Sequence, residues 1–323
     1  MQNDPFVQVK EVSRFYGTSC AVDHISFTVK QGEVLGFLGP NGAGKSTTML
    51  MLTGNLAPSE GEISINGVDL LENPRQAKAS LGFLPEQPPL YRDMTVDEYL
   101  RFCAQLHRIE RGKINAAVDA VKQRCGLTEV GQRLIGNLSK GYQQRAGIAQ
   151  AIIHSPAVVI LDEPTVGLDP IQIREIRQLI RELGGEHSVI LSSHILPEIQ
   201  ATCDRVQIIH EGKLVLSDTI AGLNHYMHES CVMIMLQQPP PLSELEKFPG
   251  VTAVEALDER RFKLYHEPGQ SPAESLAEMA VQNRWRLTEL TPEKRSLEQI
   301  FVDITTTEKT ADAPGNGAAE QAA

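Results

Sequence analysis

A nine-residue run that is rich in glycine and ends in a lysine and two hydroxyl residues constrains the fold of this 323-residue chain more than any other feature. The run reads Gly39-Pro40-Asn41-Gly42-Ala43-Gly44-Lys45-Ser46-Thr47. The apolar segment 34–38 before it predicts a central strand, and a helical pattern begins at its end. This is the context that a phosphate-binding loop requires. Its glycines let backbone N–H groups approach phosphate oxygens, and the helix start adds its positive dipole end. Lys45 is then predicted to reach the β- and γ-phosphates, and Ser46 to hold Mg²⁺.

A pair of carboxylates follows a second apolar run. Asp162 and Glu163 come directly after residues 158–161, a run that predicts a central strand. In open α/β sheets, ligands bind at the carboxyl ends of such strands. The pair can divide the work of a phosphate site, with Asp162 directed towards Mg²⁺ and Glu163 towards an attacking water. Taken alone, the pattern is also that of an ordinary strand end followed by a helix cap.

Short apolar runs alternate with helical patterns over the first two-thirds of the chain. This alternation predicts an α/β domain with a largely parallel sheet. Buried strands are also predicted at 189–191 and 206–209, because both runs are apolar throughout. Alternating patterns at 7–10, 25–29 and 62–65 predict half-exposed antiparallel strands.

The predicted domain organisation has three parts. Residues 1–222 form the α/β domain, with a helical insertion at about 87–137. Residues 223–307 form a small α+β domain, a size that can fold alone. Its predicted elements are strands at 231–236, 251–257 and 261–266, a helix at 271–283, a strand at 285–290 and a helix at 297–304. Residues 308–323 have little to bury and are predicted to be a disordered tail.

The segment just ahead of the Asp162 strand resembles the signature sequence of ABC ATPases. It reads Leu138-Ser139-Lys140-Gly141-Tyr142-Gln143-Gln144-Arg145. Lys140 and Tyr142 stand where the commoner signature has glycine and glutamine, whereas Ser139 and Gly141 remain. The resemblance covers about residues 5–220, with the motifs in the family's order. It implies a P-loop NTPase core of the ABC ATPase type, with an antiparallel β subdomain and a helical insertion.

The resemblance also implies roles for single residues. Tyr16 resembles the aromatic that stacks on adenine, Gln87 the Q-loop glutamine, and His194 the switch histidine, while 167–169 resemble the D-loop. A lone tyrosine, glutamine or histidine is otherwise an ordinary structural residue, so that reading stays open for each.

The implied site has three sets of residues. The catalytic set is Glu163, His194 and Lys45. The nucleotide-binding set is Tyr16, Gly39, Pro40, Asn41, Gly42, Ala43, Gly44, Lys45, Ser46, Thr47, Gln87, Ser139, Gly141 and Asp162. The Mg²⁺ ligands are Ser46, Gln87 and Asp162.

In such ATPases, two domains pair head to tail and bury ATP between them. The resemblance implies that each ATP lies between the Lys45 loop of one chain and the Ser139 segment of the other, and we expect a homodimer. Ser139 is a good N-cap for the helix that follows, and a helix start can face a γ-phosphate.

The sequence looks most like the ATP-binding subunits of ABC-2-type exporters, a group that includes drug-efflux, copper-site maturation and gliding-motility systems. This resemblance implies a separate polytopic membrane permease as partner, driven by closure of the ATP-bound dimer. Gln87 and residues 88–96 would border the groove for a cytoplasmic helix of that permease. The chain would then be peripheral, on the cytoplasmic face of the inner or plasma membrane.

Composition weighs against some partners and sites. The chain has 30 basic and 41 acidic residues, a net charge of −11, which disfavours nucleic acid as a partner. No apolar run approaches the roughly 20 residues of a membrane span. The five cysteines include no C-x-x-C pair. A soluble ABC ATPase that acts on ribosomes or DNA remains the alternative function, and a catalytically silent binding module is a second one that Glu163 and His194 argue against.

Overall fold

The structure is a computed structural model that describes residues 5–227, 231–267 and 271–293. The chain divides into two compact units, Met1–Ile220 and Ala221–Ala323. Among the helices in the described ranges, none combines the length and the apolar character that a membrane span needs. The helix predicted at 297–304 and the tail predicted at 308–323 lie outside the described residues.

Strands and helices alternate along the first unit. Its strands are β1 (Val7–Tyr16), β2 (Ser19–Val29), β3 (Val34–Leu38), β4 (Glu60–Ile65), β5 (Val68–Asp69), β6 (Leu81–Leu84), β7 (Val158–Leu161), β8 (Ser188–Ser193), β9 (Arg205–His210) and β10 (Lys213–Thr219). Its helices are α1 (Lys45–Leu52), α2 (Pro74–Ala79), α3 (Val96–Leu106), α4 (Ile114–Arg124), α5 (Lys140–Ile152), α6 (Pro170–Gly184) and α7 (Leu196–Thr202). Short 3₁₀ turns lie at Arg111–Lys113, Thr128–Val130 and Ile135–Asn137.

A six-stranded sheet forms the centre of the first unit, in the order β10-β9-β3-β8-β7-β6. Neighbouring strands from β9 to β6 run parallel, and only β10 pairs antiparallel with β9. Every residue of β3, β7 and β8 is buried. Helices α1, α5, α6 and α7 pack against strands of this sheet, which explains why the runs are apolar throughout. The predicted parallel α/β core is confirmed.

The sheet contains a parallel strand that the sequence analysis did not predict. β6 has only four residues and includes Gly82, so it lacks the length and side chains that mark a strand. The structure shows why glycine is needed: a Cβ at position 82 would lie 2.1 Å from the Ala151 carbonyl oxygen. Close packing of α5 on β6 therefore removes the side chain that a sequence pattern would have used.

An antiparallel sheet in the order β2-β1-β4-β5 forms a second layer of the first unit. Alternate residues such as Val7 and Val9 are buried, as the alternating sequence patterns predicted. Asn66 and Gly67 join β4 to β5, both with positive φ, as a tight hairpin turn requires. β2 of this sheet lies close to the start of α1, since a Cβ at Gly44 would meet the Ala21 carbonyl oxygen.

Two helices, α3 and α4, lie in the stretch for which the sequence predicts a helical insertion. α3 begins with a capping box, in which Thr95 Oγ1 accepts from Glu98 N–H at 3.2 Å and Glu98 Oε2 accepts from Thr95 N–H at 2.8 Å. α3 packs on α4 and α5. A buried ion pair, Lys122 Nζ to Asp97 Oδ1 at 2.8 Å, joins α4 to α3.

The second unit contains an antiparallel sheet in the order β12-β13-β11-β14. Its elements are β11 (Cys231–Leu236), α9 (Leu242–Glu246), β12 (Val251–Ala256), β13 (Arg261–His266), α10 (Ala273–Gln282) and β14 (Leu287–Glu293), and α8 (Ile220–Met227) precedes them. Ile234, Phe262 and Leu276 lie in its buried core. The strand predicted at 285–290 was placed too early, because Arg284 and Arg286 have positive φ and extended backbone begins only after them.

A stacked pair of histidines joins the carboxyl ends of α3 and α5, because His107 follows α3 directly and His154 lies two residues beyond the end of α5. The rings of His107 and His154 are parallel within 8°, with centroids 3.7 Å apart. His154 Nε2 lies 3.0 Å from the Leu81 carbonyl oxygen, while its buried Nδ1 has no hydrogen-bond partner in the part of the chain that the structure describes. Burial, with a smaller contribution from the charge of His107, lowers the pKa of His154 from 6.5 to about 4.

This histidine should make the protein less stable in mild acid. Because the pKa is lower in the folded chain, the unfolded chain binds a proton first as the pH falls from about 6.5 to about 4. We expect a loss of about 2 kcal/mol over this window, after allowing for screening by water. His154→Gln retains an N–H for the Leu81 carbonyl and cannot ionise, so its urea midpoint should fall less than that of the wild type between pH ~7 and ~5. Equal falls would contradict this assignment.

Candidate functional site

The glycine-rich loop connects β3 to α1 at the carboxyl end of the central sheet. Gly44, the residue before α1, has φ +106°, and a Cβ there would lie 2.6 Å from the Ala21 carbonyl oxygen. A side chain at this position would therefore be strained by the backbone and blocked by β2. Among the residues that the structure describes, no side chain caps the start of α1, so its first N–H groups are left for another acceptor. This is the arrangement that binds phosphate at helix N-termini.

Lys45 places its ammonium group inside this loop. The residue is 5% exposed, and Nζ donates to the carbonyl oxygens of Gly39 at 2.8 Å and Pro40 at 3.1 Å. Nζ also lies 3.4 Å from Glu163 Oε1. A buried cation whose partners in the described ranges are two carbonyl oxygens and one carboxylate is well placed to bind an anion entering the loop.

Asp162 lies beside Ser46 at the end of β7. Ser46 Oγ donates to Asp162 Oδ1 at 3.3 Å, and Ser192 Oγ donates to the same oxygen at 2.6 Å. Hydroxyl and carboxylate oxygens are the ligands that Mg²⁺ prefers in proteins. The donor set of Ser46 and Asp162 therefore fits that ion.

Glu163 and His194 meet because β7 and β8 are parallel neighbours whose carboxyl ends coincide. Glu163 Oε2 lies 3.0 Å from His194 Nδ1. The Glu163 backbone has φ +47°, a left-handed conformation that is costly for this residue type, and its N–H donates to Ser192 Oγ at 2.9 Å. The Glu163 side chain is 11% exposed, whereas the His194 side chain is 39% exposed. A buried carboxylate thus faces the cavity together with a solvent-accessible imidazole.

One cavity is lined by half of the site residues that the sequence predicted. Its lining includes Asn41, Gly42, Gly44, Lys45, Ser46, Thr47, Glu163 and His194. Ala21, Glu86 and Val166 also line it, and the sequence analysis did not predict them. Glu86 and Val166 adjoin predicted motifs in the chain, which was the available signal. Ala21 gave no signal, because only the packing of β2 against the loop brings it here.

The remaining predicted residues of the loop do not line the cavity. Gly39 and Pro40 offer carbonyl oxygens to Lys45. Ala43 is buried and its N–H donates to the Pro40 carbonyl at 3.2 Å. Asp162 does not line the cavity directly but contacts Ser46, which does.

Four predicted residues lie elsewhere than on the Lys45 cavity: Tyr16, Gln87, Ser139 and Gly141. Gln87 lines an adjoining cavity with Lys140 and Gln144, and Glu86 and Val166 line both cavities. Tyr16 is exposed at the end of β1, with the guanidinium carbon of Arg14 5.0 Å from its ring centroid.

The Ser139 segment forms an exposed helix start. Ser139 is the N-cap of α5, and its Oγ accepts from the Tyr142 N–H at 3.4 Å, so the predicted cap is confirmed. Gly141 packs against α6, where a Cβ would lie 2.6 Å from the Gln172 side chain. Lys140 Nζ lies close to Gly167, on the segment that follows Glu163. The signature residues are therefore held against the segment 167–172 and not against Lys45.

Comparison with known proteins covers most of the chain. A family model described as ABC transporter matches residues 22–166. The bacitracin transport ATP-binding protein of Bacillus licheniformis is 35% identical over 300 residues, which cover 92% of this chain and 96% of that protein. The linearmycin resistance ATP-binding protein of Bacillus subtilis is 34% identical over 218 residues, or 67% of this chain and 70% of that protein.

A solved structure of an ATP binding subunit of an ABC transporter superposes with a TM-score of 0.62 at 30% identity, covering 68% of this chain and 92% of its own. The resemblance that the motifs indicated, and the fold it implied, are confirmed by these matches.

Proposed function

The chain belongs to the ABC transporter family as an ATP-hydrolysing subunit, and from this premise we propose that it powers an ABC-2-type membrane exporter through ATP-driven closure of a dimer. The observation that carries the proposal is the convergence of Lys45, Glu163 and His194 on one cavity beside an uncapped helix start. Relatives named for bacitracin transport and linearmycin resistance support a role in export.

In the proposed hydrolysis, Glu163 orients and polarises the attacking water. Its Oε1 is held near Lys45 Nζ and its Oε2 near His194 Nδ1, so the carboxylate has little freedom to turn. Lys45 neutralises charge on the β- and γ-phosphates, and His194, which is partly exposed, contacts the γ-phosphate. Such a reaction depends on positioning and charge stabilisation more than on covalent chemistry by the protein.

Ser46 and Asp162 would hold Mg²⁺, because their oxygens already lie 3.3 Å apart beside the phosphate loop. When bound, the ion neutralises charge that develops on the transferred phosphoryl group. Gln87 would join them from the adjoining cavity, which shares Glu86 and Val166 with the first. Tyr16 would stack on adenine, because it is exposed and lies near the cavity. It pairs with Ser19 of β2, and Ala21, two residues further along β2, lines the cavity.

The proposed active form contains two chains. Ser139 and Gly141 do not line the Lys45 cavity of their own chain, and Ser139 is exposed at the start of α5. An exposed helix start with free N–H groups suits the γ-phosphate of an ATP held by another chain. ATP bound between two such surfaces would favour the closed dimer, because it contacts both chains only in that form.

Mixing two inactive variants tests this dimer. Lys45→Ala removes the phosphate-loop charge, whereas Ser139→Asp keeps an N-cap but places a negative charge where the γ-phosphate of the partner would bind. Each variant alone should lose ATPase activity. A mixture should recover activity, because the mixed dimer holds one site with both Lys45 and Ser139 intact. No recovery, with mixed dimers present by native mass spectrometry, would contradict a shared site.

The proposed partner is a separate polytopic permease, which would hold this chain at the cytoplasmic face of the membrane. Gln87 and the segment 88–96, which leads into α3, would receive a cytoplasmic helix of that permease. Affinity purification of the tagged chain from detergent-solubilised membranes tests the assignment. Recovery with a polytopic membrane protein is expected, and recovery with ribosomes or DNA alone would favour the soluble alternative and contradict export.

A further inference from the structure

A buried glutamate behind the cavity has contacts that the proposed reaction does not yet use. Glu198 lies in the first turn of α7 and is 3% exposed. Its Oε2 accepts from Thr165 Oγ1 at 2.6 Å and from Ser193 Oγ at 3.1 Å. Its Oε1 lies 3.5 Å from Arg177 Nη2 of α6. A carboxylate this deeply buried is costly unless its partners are fixed, so these contacts define one arrangement.

The two hydroxyl partners of Glu198 belong to the two segments that carry the reacting groups. Thr165 lies two residues after Glu163, and Ser193 immediately precedes His194. One carboxylate therefore connects the end of β7 to the end of β8. Glu198 does not line the Lys45 cavity, so it is not placed to touch ATP.

The backbone conformation of Glu163 needs support from its surroundings, and the contacts of Glu198 supply part of that support. Its φ of +47° is a costly conformation for a glutamate, and such conformations persist only where the surroundings fix them from several sides. Ser192 Oγ holds the Glu163 N–H on one side. The Thr165–Glu198 hydrogen bond holds the chain just beyond it.

We infer that Glu198 is a positioning residue for ATP hydrolysis, which keeps the Glu163 carboxylate and the His194 imidazole in contact by fixing Thr165 and Ser193. The inference rests on the proposed hydrolysis at Glu163. Glu198 acts through Glu163 and His194, and the binding of ATP by Lys45 and the loop does not depend on it.

Glu198→Ala should lower kcat by about 10- to 100-fold, since small displacements of catalytic groups have effects of that size. The dissociation constant for ATP should stay within about twofold of the wild type, because the phosphate loop is untouched. Glu198→Gln should recover much of kcat, because the amide oxygen can still accept both hydroxyl hydrogen bonds.

A matched control separates positioning from general loss of stability. Glu33 also has a largely buried carboxylate in an ion pair, with its Oε1 2.6 Å from Arg205 Nε, and it lies at the other end of the sheet, just before β3. Glu33→Ala should lower the unfolding midpoint in urea and leave kcat within about twofold. An equal loss of kcat in Glu33→Ala would overturn the inference.

The decisive test combines Glu198→Ala with Glu163→Gln in single-turnover hydrolysis of radiolabelled ATP. If Glu198 acts through Glu163, the double variant should be little slower than Glu163→Gln alone, because the group being positioned has already been lost. Losses that multiply in full would overturn the inference, as would an unchanged kcat in Glu198→Ala.

Two further outcomes have defined meanings. If Glu198→Ala does not fold, Thr165→Val and Ser193→Ala carry the test; each should lower kcat by about 2- to 10-fold at unchanged ATP affinity, and no effect in either would overturn the inference. If the wild type itself does not hydrolyse ATP in the same assay, the proposed function fails, and the inference fails with it. If the wild type and Glu198→Ala are equally active, the inference about Glu198 fails and the proposed function stands.

Discussion

Glu163→Gln is expected to lower ATP turnover by about 10²- to 10⁴-fold, the usual contribution of a positioned general base. The amide keeps the size of the carboxylate but cannot accept a proton from water. ATP binding should stay within about twofold of the wild type, because Lys45 and the loop N–H groups are unchanged. Steady-state phosphate release measures the first effect, and titration with a fluorescent ATP analogue the second.

The matched control is Glu86→Gln. Glu86 also lines the Lys45 cavity, but the structure gives it no hydrogen bond to His194 and no ion pair to Lys45. Its replacement removes one negative charge from the same cavity, so it tests whether charge alone explains the loss. We expect turnover within about threefold of the wild type. Normal turnover in Glu163→Gln would remove Glu163 from the reaction.

Lys45→Ala should weaken ATP binding by about 10- to 100-fold, the range for a lost charge-assisted hydrogen bond. Turnover at low ATP should fall further, because the same ammonium group also faces charge that develops during hydrolysis. Removal of Nζ also leaves Glu163 Oε1 without the cation 3.4 Å away. Isothermal titration with Mg-ATP gives the affinity.

A suitable control for Lys45→Ala is Lys78→Ala. Lys78 Nζ donates to the Gly54 carbonyl at 2.9 Å, a contact like that of Lys45 but away from the cavity. This variant should bind ATP as the wild type does. Unchanged ATP affinity in Lys45→Ala would contradict the phosphate site.

The core of the fold could be predicted because burial on both faces leaves a continuous apolar run. β3 and β7 were predicted with the bounds that the structure has, since each of their residues is buried. β6 could not be predicted in this way, because α5 packs so closely that Gly82 replaces a side chain. In the second unit, Arg284 and Arg286 have left-handed backbone, so β14 begins only at Leu287. Arginine has no preference for that conformation, so the sequence did not indicate the later start.

The sequence predicts the part of the site that lies at the carboxyl ends of parallel strands, because neighbouring parallel strands end at the same edge of the sheet. Asp162, Glu163 and His194 follow β7 and β8, so a parallel sheet brings them to the same edge. Packing of β2 places Ala21 in the cavity wall, and packing of α7 places Glu198 against Thr165 behind the site; no sequence motif records either contact. The placement of Gln87 on an adjoining cavity depends in turn on the loop between β6 and α3.

The most direct test of the central claim is binding and hydrolysis of Mg-ATP by the purified chain, measured with wild type and Lys45→Ala side by side. We predict saturable binding and phosphate release in the wild type, both strongly reduced in the variant. A concentration of about 1 mM Mg-ATP is far above the dissociation constant expected of a nucleotide site. If the wild type binds no Mg-ATP at that concentration, the account is contradicted.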